Sequence, residues 1–332
     1  MAEIEVVKPW MDLSVIIVNF NSANYVMECV RSLYEQTTLV RYEVIVVDNA
    51  SYDDCHERLA CHFSDVIFLQ SHSNLGFGGA NNLGAKHARG EVLLFLNPDT
   101  EVRDGAIDRL YQHFRTLNQP GAVGCRLLNR DGSLQTSCVQ SFPTVLNQVL
   151  DAAVLQRLFP KSDLWGTAVL FEKDAAAAKV EVVSGACLMI RKEVFDCVGG
   201  FSPEYFMYGE DLDLCFKVRR AGLHNYHVGD VLIMHHGGGS TKKSVSNFSN
   251  RMMRESVFRF LLKFRGRLYG DCYRAAISAS AVIRLALLAV FFPIWCARWR
   301  AHDWNAVFRK WLCIFEWGLG LKRFGQNQIR NK

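Results

Sequence analysis

Val92-Leu93-Leu94-Phe95-Leu96-Asn97-Pro98-Asp99-Thr100 reads as a buried strand stopped by a proline and followed at once by a carboxylate. An unbroken apolar run of this length suits a central strand covered on both faces. Pro98 has no amide hydrogen for the ladder, so the strand stops and leaves Asp99 at its carboxyl end. Open α/β sheets bind their ligands at that edge. A carboxylate there can hold a divalent cation and, through it, a diphosphate. Asp99 can equally be a turn residue capping a helix that begins near Asp104.

The same rhythm extends outward from this stretch. Leu13–Val18 is an apolar run ending at Asn19-Phe20-Asn21-Ser22, and a helical pattern follows from about Tyr25 to Glu35. Val44–Val47 ends at Asp48-Asn49-Ala50-Ser51, with a helix predicted over Asp53–Phe63. Val66–Leu69 leads into the Gly-rich stretch Asn74–Gly84, which opens a helix running to His87. Strand and helix alternate in the manner of an α/β fold: a doubly wound, mostly parallel sheet flanked by helices, with right-handed crossovers. Each polar cluster falls at a strand's carboxyl end, so all of them converge on one edge.

Beyond Gly121 the periodicity weakens until about Val180. Asp131-Gly132 reads as a hairpin turn, and 141–179 as a variable excursion able to cover a site. Val182–Ile190 is a predicted strand, Gly209–Ala221 a helix closed by Gly222, and Tyr226–Met234 a last strand. That strand runs into His235-His236-Gly237-Gly238-Gly239-Ser240.

Half of the 332 residues are hydrophobic, and the net charge of +5 conceals a marked asymmetry. Residues 1–250 carry 22 Lys+Arg against 29 Asp+Glu, whereas 251–332 carry 16 against 4 and hold five of the seven tryptophans. A basic, Trp-rich, apolar tail on an acidic body suits the anionic face of a membrane. Nucleic-acid binding is disfavoured because the basic residues alternate with long apolar runs. The eleven cysteines show no C-x-x-C pair, and Met1–Glu5 lacks the apolar centre of a secretory leader. Both features point to a reduced, cytoplasmic body whose cysteines are small buried hydrophobes.

Several residues are candidates for chemistry. Asp48 can accept a hydrogen bond from a pyrimidine N3–H or a ribose hydroxyl, although Ser51 and Asp53 beside it also suit helix N-capping. Glycines in Asn74–Gly84 allow close approach of backbone to a ligand, without forming a G-x-G-x-x-G fingerprint. Glu210, Asp211 and Asp213 open a helix, where carboxylates favour the dipole. The apolar residues Leu212, Leu214 and Phe216 turn that helix into the body, so a partly buried Asp211 with a raised pKa is the better candidate for a general base. His235, ahead of His236, is placed to join Asp99 in a mixed oxygen and nitrogen metal site.

Seven motifs taken in order resemble those of the family 2 glycosyltransferases, over roughly residues 12–240. They are Ser14–Asn21, Val46–Ser51, Asn74–Phe77, Asn82–Gly84, Leu96–Asp99, Gly199–Phe201 and Gly209–Cys215. The bacterial rhamnosyltransferase-like branch is the nearest match. The resemblance implies a GT-A fold and inverting transfer of a sugar, most simply L-rhamnose from dTDP-rhamnose, from a dTDP- or UDP-sugar donor.

By that resemblance Asp48 is the base-binding carboxylate, with Asn19, Asn21, Asn49, Ser51, Asn74, Gly76, Phe77, Asn82 and Asn97 around the donor. Asn97-Pro98-Asp99 stands where the family has D-x-D, making Asp99 a ligand of Mg²⁺ or Mn²⁺ together with His235. Asn97 removes one charge from that motif. Glu210-Asp211 matches the family's E-D pair, with Asp211 the base on the acceptor hydroxyl. Gly185, Ala186 and Tyr208 are expected near the acceptor.

The catalytic domain is expected over 1–250, with a nucleotide-sugar half at about 12–125 and an acceptor half at about 126–250. Residues 251–332 form the helical tail. Within it, Ala275–Ala297 just reaches the length of a bilayer span, interrupted by Arg284 and Pro293. Arg284 is costly at mid-bilayer, so helices lying on the cytoplasmic leaflet are preferred to a span, and a packed helical subdomain stays open. Family and tail together imply a glycan acceptor on a polyprenyl diphosphate lipid at the cytoplasmic face of the bacterial inner membrane. Other classes weigh less. A silent scaffold should have lost one of Asp48, Asp99 and Asp211. A nucleotidyltransferase or nicotinamide dehydrogenase should have a Gly-rich loop where Asn19-Phe20-Asn21-Ser22 stands.

Overall fold

In a computed structural model, the described residues are 11–150, 158–165, 167–171, 177–237, 247–291 and 301–321. They form two compact units.

The first unit comprises Met1–Gln140, Val169–Phe206 and Glu210–Ser240. Its apolar runs become β1 (Met11–Asn19), β2 (Tyr42–Asp48), β3 (Ile67–Gln70) and β4 (Gly90–Leu96). These are joined by α1 (Ala23–Gln36), α2 (Cys55–His62) and α3 (Gly76–His87). Then come β5 (Thr100–Val102), α4 (Ala106–Thr116), β6 (Pro120–Leu128) and β7 (Val139–Gln140). The unit is completed by β8 (Ala178–Val180), β9 (Val182–Val183), β10 (Cys187–Arg191), α6 (Lys192–Cys197), α7 (Glu210–Arg220) and β11 (His224–His235).

Nine strands form one sheet in the order β3-β2-β1-β4-β10-β6-β11-β5, with β8 also on β11, and β7 pairs separately with β9. The pairs from β3 to β4 and the pair β6–β11 are parallel. β10 runs antiparallel to both of its neighbours, β4 and β6. The sheet is therefore mixed, and the start of β10 lies at the same edge as the ends of β2, β4 and β11.

Two expectations need correcting. Residues 120–128, where periodicity looked weak, form the nine-residue strand β6, buried over most of its length. A strand covered on both faces carries no alternation to read. The predicted strand Val182–Ile190 divides into β9 and β10, and the turn between them presents Gly185 and Ala186 at the binding edge. The expected stop at Pro98 holds, since β4 ends at Leu96. The Asp131-Gly132 hairpin also holds: Gly132 has φ +80° and Asn129 and Ser133 are joined by a backbone hydrogen bond.

The core lies between β1, β2, β4, β6 and β11 and the helices α1 and α4, with Ile17, Val30, Leu94, Phe114 and Val228 fully buried. At the edge opposite the polar clusters, Ser14 within β1 donates to Glu43, which also accepts from the backbone and side chain of Arg89. Buried polar groups there are mutually satisfied, as an apolar sheet requires. Of the described cysteines, Cys29, Cys55, Cys125, Cys138, Cys187, Cys215 and Cys313 are buried and unbridged.

The second unit comprises Ser141–Ala168, Met207–Gly209 and Thr241–Lys332. It contains α5 (Val145–Val149), α8 (Asn247–Arg265), α9 (Arg267–Val290) and α10 (Ala301–Gly318). Part of the excursion thus belongs with the tail: Phe142 stacks on Phe260 and the Val145 amide donates to the Tyr269 hydroxyl. Arg274 donates to the Trp317 and Gly318 carbonyls at the end of α10 and lies over the Trp317 ring. Arg284 is likewise engaged, with its guanidinium 4.4 Å from the Trp311 ring centroid and donating to the Val149 carbonyl and Ser280 Oγ. By length and composition α9 can cross a membrane, and only 22% of its apolar window is buried. Pro293, Trp295, Arg298, Trp299 and Arg300, together with Gly238, Gly239 and Ser240, lie outside the described residues.

Candidate active site

Four clusters line the binding edge of the first unit. The first joins the ends of β1 and β2. Asn19, fully buried, donates its amide to Asp48, Ser51 and Asp53. Asp48 also accepts from the Ser51 amide and the Gln70 side chain, leaving Oδ2 with a single internal donor, Asn19. Ser51 and Asp53 do not cap α2, whose N-cap is Asp54 without a side-chain cap. Asp53 instead accepts from the Ala23 amide at the start of α1, and Ser51 accepts from the Asn21 amide. Asn21 and Ala50 both take positive φ, at +52° and +62°. Such conformations are costly for residues other than glycine and gather at functional sites.

The second cluster is built on Asn49. Its side chain donates to Asn74 and accepts from the Leu75 amide, holding the Gly-rich turn against the end of β2. Gly76 has φ +74°, and a Cβ there would stand 2.3 Å from the Phe206 carbonyl oxygen. The next amide, Phe77, donates to that same carbonyl. Asn82, on the following helical turn, exchanges hydrogen bonds with the backbone of Phe201.

The third cluster surrounds Asp211, in the first turn of α7. Its Oδ2 accepts from the Gly185 amide at 3.0 Å and its Oδ1 from the Leu212 amide at 2.8 Å. Gly185 lies between the Phe77 ring and Asp211. Burial pushes the Asp211 carboxyl above the usual carboxylate range, against the lowering effect of the backbone amides. Its neighbours differ in kind. Asp213 is fully buried and bound by Ser202 and Lys217, a structural arrangement. Glu210 is buried beside Gly78. Tyr208, expected near the acceptor, belongs instead to the second unit, where it has φ +68° and its hydroxyl is 3.3 Å from Ser249 Oγ.

The fourth cluster joins the ends of β4 and β11. Asp99 Oδ1 is 3.2 Å from His235 Nε2, and Asn97 Nδ2 is 3.3 Å from the same nitrogen. The Asn97 amide donates to the Ala186 carbonyl, tying this turn to the Gly185-Ala186 turn. His236 faces Glu101 instead, leaving His235 as the residue that meets Asp99. Among the described residues no group of three or more His, Cys, Asp and Glu side chains is placed to hold a metal ion.

Asp99 and His235 nonetheless fit a cation that takes its remaining ligands from elsewhere. Adjacent ligands at about 2.1 Å in an octahedral site stand about 3 Å apart, close to the observed separation. Asn97 Oδ1 beside them is buried with no hydrogen-bond partner among the described residues. A cavity of about 280 Å³ beside Pro98 is lined by Glu28, Arg31, Glu101 and His236 but by none of Asp48, Asp99 and Asp211.

Three contributors escaped the sequence reading: Gln70, Asp53 as a cap on α1, and Gln135, whose Oε1 is 2.8 Å from His235 Nδ1. The Asp131-Gly132 turn was the available signal for Gln135, since a hairpin there returns the chain toward the sheet.

The profile of glycosyl transferase family 2 matches residues 14–199, and the chain belongs to that family. The low-salt glycan biosynthesis hexosyltransferase Agl10 of Haloferax volcanii is 30% identical over 227 residues, covering 67% of this chain and 66% of that protein. An N-acetylglucosaminyl-diphospho-decaprenol L-rhamnosyltransferase of Mycobacterium tuberculosis is 32% identical over 210 residues, covering 60% of this chain and 67% of that protein. The similarity thus spans about two thirds of these relatives' length. The mannosyltransferase PcManGT of Pyrobaculum calidifontis, solved with GDP-Man and Mn²⁺, superposes with a TM-score of 0.55 at 18% identity, over 96% of this chain and 92% of that one. That likeness is one of fold.

Proposed function

We propose that this chain transfers a hexose with inversion from a pyrimidine nucleotide diphosphate donor to a hydroxyl of a glycan acceptor. One observation carries the reading: carboxylates from three separate elements, Asp48, Asp99 and Asp211, stand at one edge of the sheet, each in a different chemical setting. L-rhamnose from dTDP-rhamnose is the donor favoured by the rhamnosyltransferase relative, and a polyprenyl-diphosphate-linked glycan is the acceptor favoured by that relative's name.

Asp48, with Asn19 and Ser51, forms the surface for base and ribose, and Oδ2 offers it an acceptor. Asn49 and Asn74 hold the Gly76 turn so that backbone closes on the donor. Asp99 and His235 would hold a divalent cation; a mannosyltransferase of similar fold was solved with Mn²⁺. When bound, such an ion neutralises charge that develops on the departing nucleoside diphosphate.

Asp211, fixed by the Gly185 and Leu212 amides, takes the proton from the acceptor hydroxyl. Its raised pKa suits that task, because a partly desolvated carboxylate is a stronger base than one in water. Attack from the face opposite the leaving group inverts the anomeric carbon. A β-linked nucleotide rhamnose would give an α-rhamnoside.

The second unit is proposed to rest on the cytoplasmic leaflet. Val282, Ile283, Leu287, Val290 and Phe291 of α9 and its end are exposed apolar side chains. Arg284 points into its own unit, so this apolar face carries no charge from that residue. The domain division at about residue 250 is retained for the catalytic body, with 141–168 acting alongside the tail.

Calorimetric titration with UDP, dTDP, UDP-glucose and dTDP-rhamnose, each with and without Mn²⁺, tests the proposal. Mn²⁺-dependent binding of one pyrimidine nucleotide supports it. A folded protein that binds none of them would favour a silent scaffold.

A further inference from the structure

We propose that Gln135 is a positioning residue that holds His235 in a single tautomer, with the proton on Nδ1 and the Nε2 lone pair directed at the Asp99 side. The inference deepens the cation reading above and rests on it for its functional consequence.

The argument is one of hydrogen-bond polarity. Asp131 is a carboxylate and can only accept, so the Ser133 hydroxyl 2.6 Å away donates to it. With its hydrogen committed, Ser133 Oγ accepts from the Asn129 side chain, whose NH₂ group must face it at 2.8 Å. Asn129 Oδ1 is then turned the other way and accepts from Gln135 Nε2 at 2.9 Å. The same Gln135 nitrogen donates to the His235 backbone carbonyl at 2.6 Å, and a carbonyl cannot donate. Two independent acceptors therefore fix the Gln135 amide, and its oxygen faces His235 Nδ1 at 2.8 Å. An oxygen that only accepts requires a proton on Nδ1.

In the neutral ring, the form present at alkaline pH, that leaves Nε2 as the lone-pair nitrogen. It stands 3.2 Å from the Asp99 carboxylate, a second electron-rich group, and 3.3 Å from the Asn97 side-chain nitrogen, which can donate to it while no cation is bound. A cation between Nε2 and Asp99 relieves their repulsion. Ligating histidines are commonly oriented in this way, through a partner on the other ring nitrogen. Here the orientation passes through four side chains of one hairpin, starting from an exposed carboxylate at its tip. Asp131 is itself held ionised, because the Ser133 hydroxyl and amide lower its pKa.

The test reads the tautomer directly. Long-range ¹H–¹⁵N spectra of the full chain at alkaline pH, with His235 assigned by its loss in His235→Gln, should show the proton on Nδ1. Gln135→Leu should give a mixture of tautomers and weaken Mn²⁺ binding, read by electron paramagnetic resonance with dTDP present, by about 10-fold or more. Ser133→Ala should cause a smaller shift in the same direction, since it loosens the chain of bonds two steps away.

A proton on Nε2 in the unmodified protein at alkaline pH would overturn the inference even if Gln135→Leu does not fold. So would an unchanged Mn²⁺ affinity in Gln135→Leu. If the unmodified protein binds no Mn²⁺, the cation reading itself fails, whereas the tautomer spectrum still decides the part assigned to Gln135.

Discussion

The Asp211 carboxylate receives the Gly185 amide at 3.0 Å, so the first turn of α7 is tied to the turn that begins β10. The bond fixes Asp211 without neutralising it, which is what a base requires. Asp211→Asn is expected to lower transfer by 10²-fold or more while nucleotide binding persists. Turnover within a few-fold of the unmodified enzyme would remove Asp211 from that role.

The same residue has a pH signature. Its folded pKa is raised by burial, so its favourable share of stability is present below the unfolded carboxylate pKa and is lost as pH rises through the folded value. Asp211→Asn removes that loss. The melting temperature of the variant relative to the unmodified protein should therefore increase from acid to neutral pH, and a pH-independent difference would contradict the assignment.

Asp99→Ala should weaken Mn²⁺-dependent nucleotide binding by at least 10-fold and leave the metal-independent component untouched. Calorimetry with and without Mn²⁺ separates the two. An unchanged titration would exclude Asp99 from the site.

His227 offers a stability test away from the site. It is fully buried in β11, neither ring nitrogen has a hydrogen-bond partner among the described residues, and burial followed by the nearby Arg126 charge lowers its pKa to about 4. The fold keeps the ring neutral, so stability is complete above the ordinary histidine pKa and falls as pH drops toward the folded one. That shift corresponds to a loss on the order of 3 kcal/mol. His227→Phe should flatten the decline, measured by urea unfolding between mildly acidic and neutral pH.

For the second unit, deletion of the tail is a poor test, because α9 and α10 share Arg274, Trp317 and Gly318 contacts whose loss would expose a core. Ile283→Asp with Leu287→Asp changes two exposed positions instead. Sedimentation with anionic vesicles should fall several-fold. Retention at the original level would assign membrane contact to another surface.

The parallel half of the sheet was legible because each strand there is a short apolar run ended by a polar cluster: Asn19, Asp48, Gln70-Ser71 or Asn97-Pro98. Val92 to Asp99 shows this most plainly: an interior strand, a stop and a carboxylate in consecutive positions. The rest resisted for physical reasons. β6 is buried and contains Gly121 and Gly124, so it shows neither alternation nor strong β propensity. The break at Ser184–Ala186 lies between two equally apolar pieces. Among site residues, Asp99, His235 and Asp211 stood out through their chemistry, whereas Gln135 and Gln70 act by orientation and look like ordinary surface polars in the chain.

The reversed course of β10 also bears on how the protein is made. β10 sits between β4 and β6 in space but follows both in the chain. While the ribosome is still reading residues before Cys187, β1 to β4 can assemble with one side of β4 unpaired, and β6 has no place beside it. An open, apolar strand margin at the centre of the future sheet invites pairing with other nascent chains. The joining of β4 to β6 therefore waits for five residues, Cys187–Arg191, and synthesis that stalls before them should yield aggregates rather than a smaller folded domain.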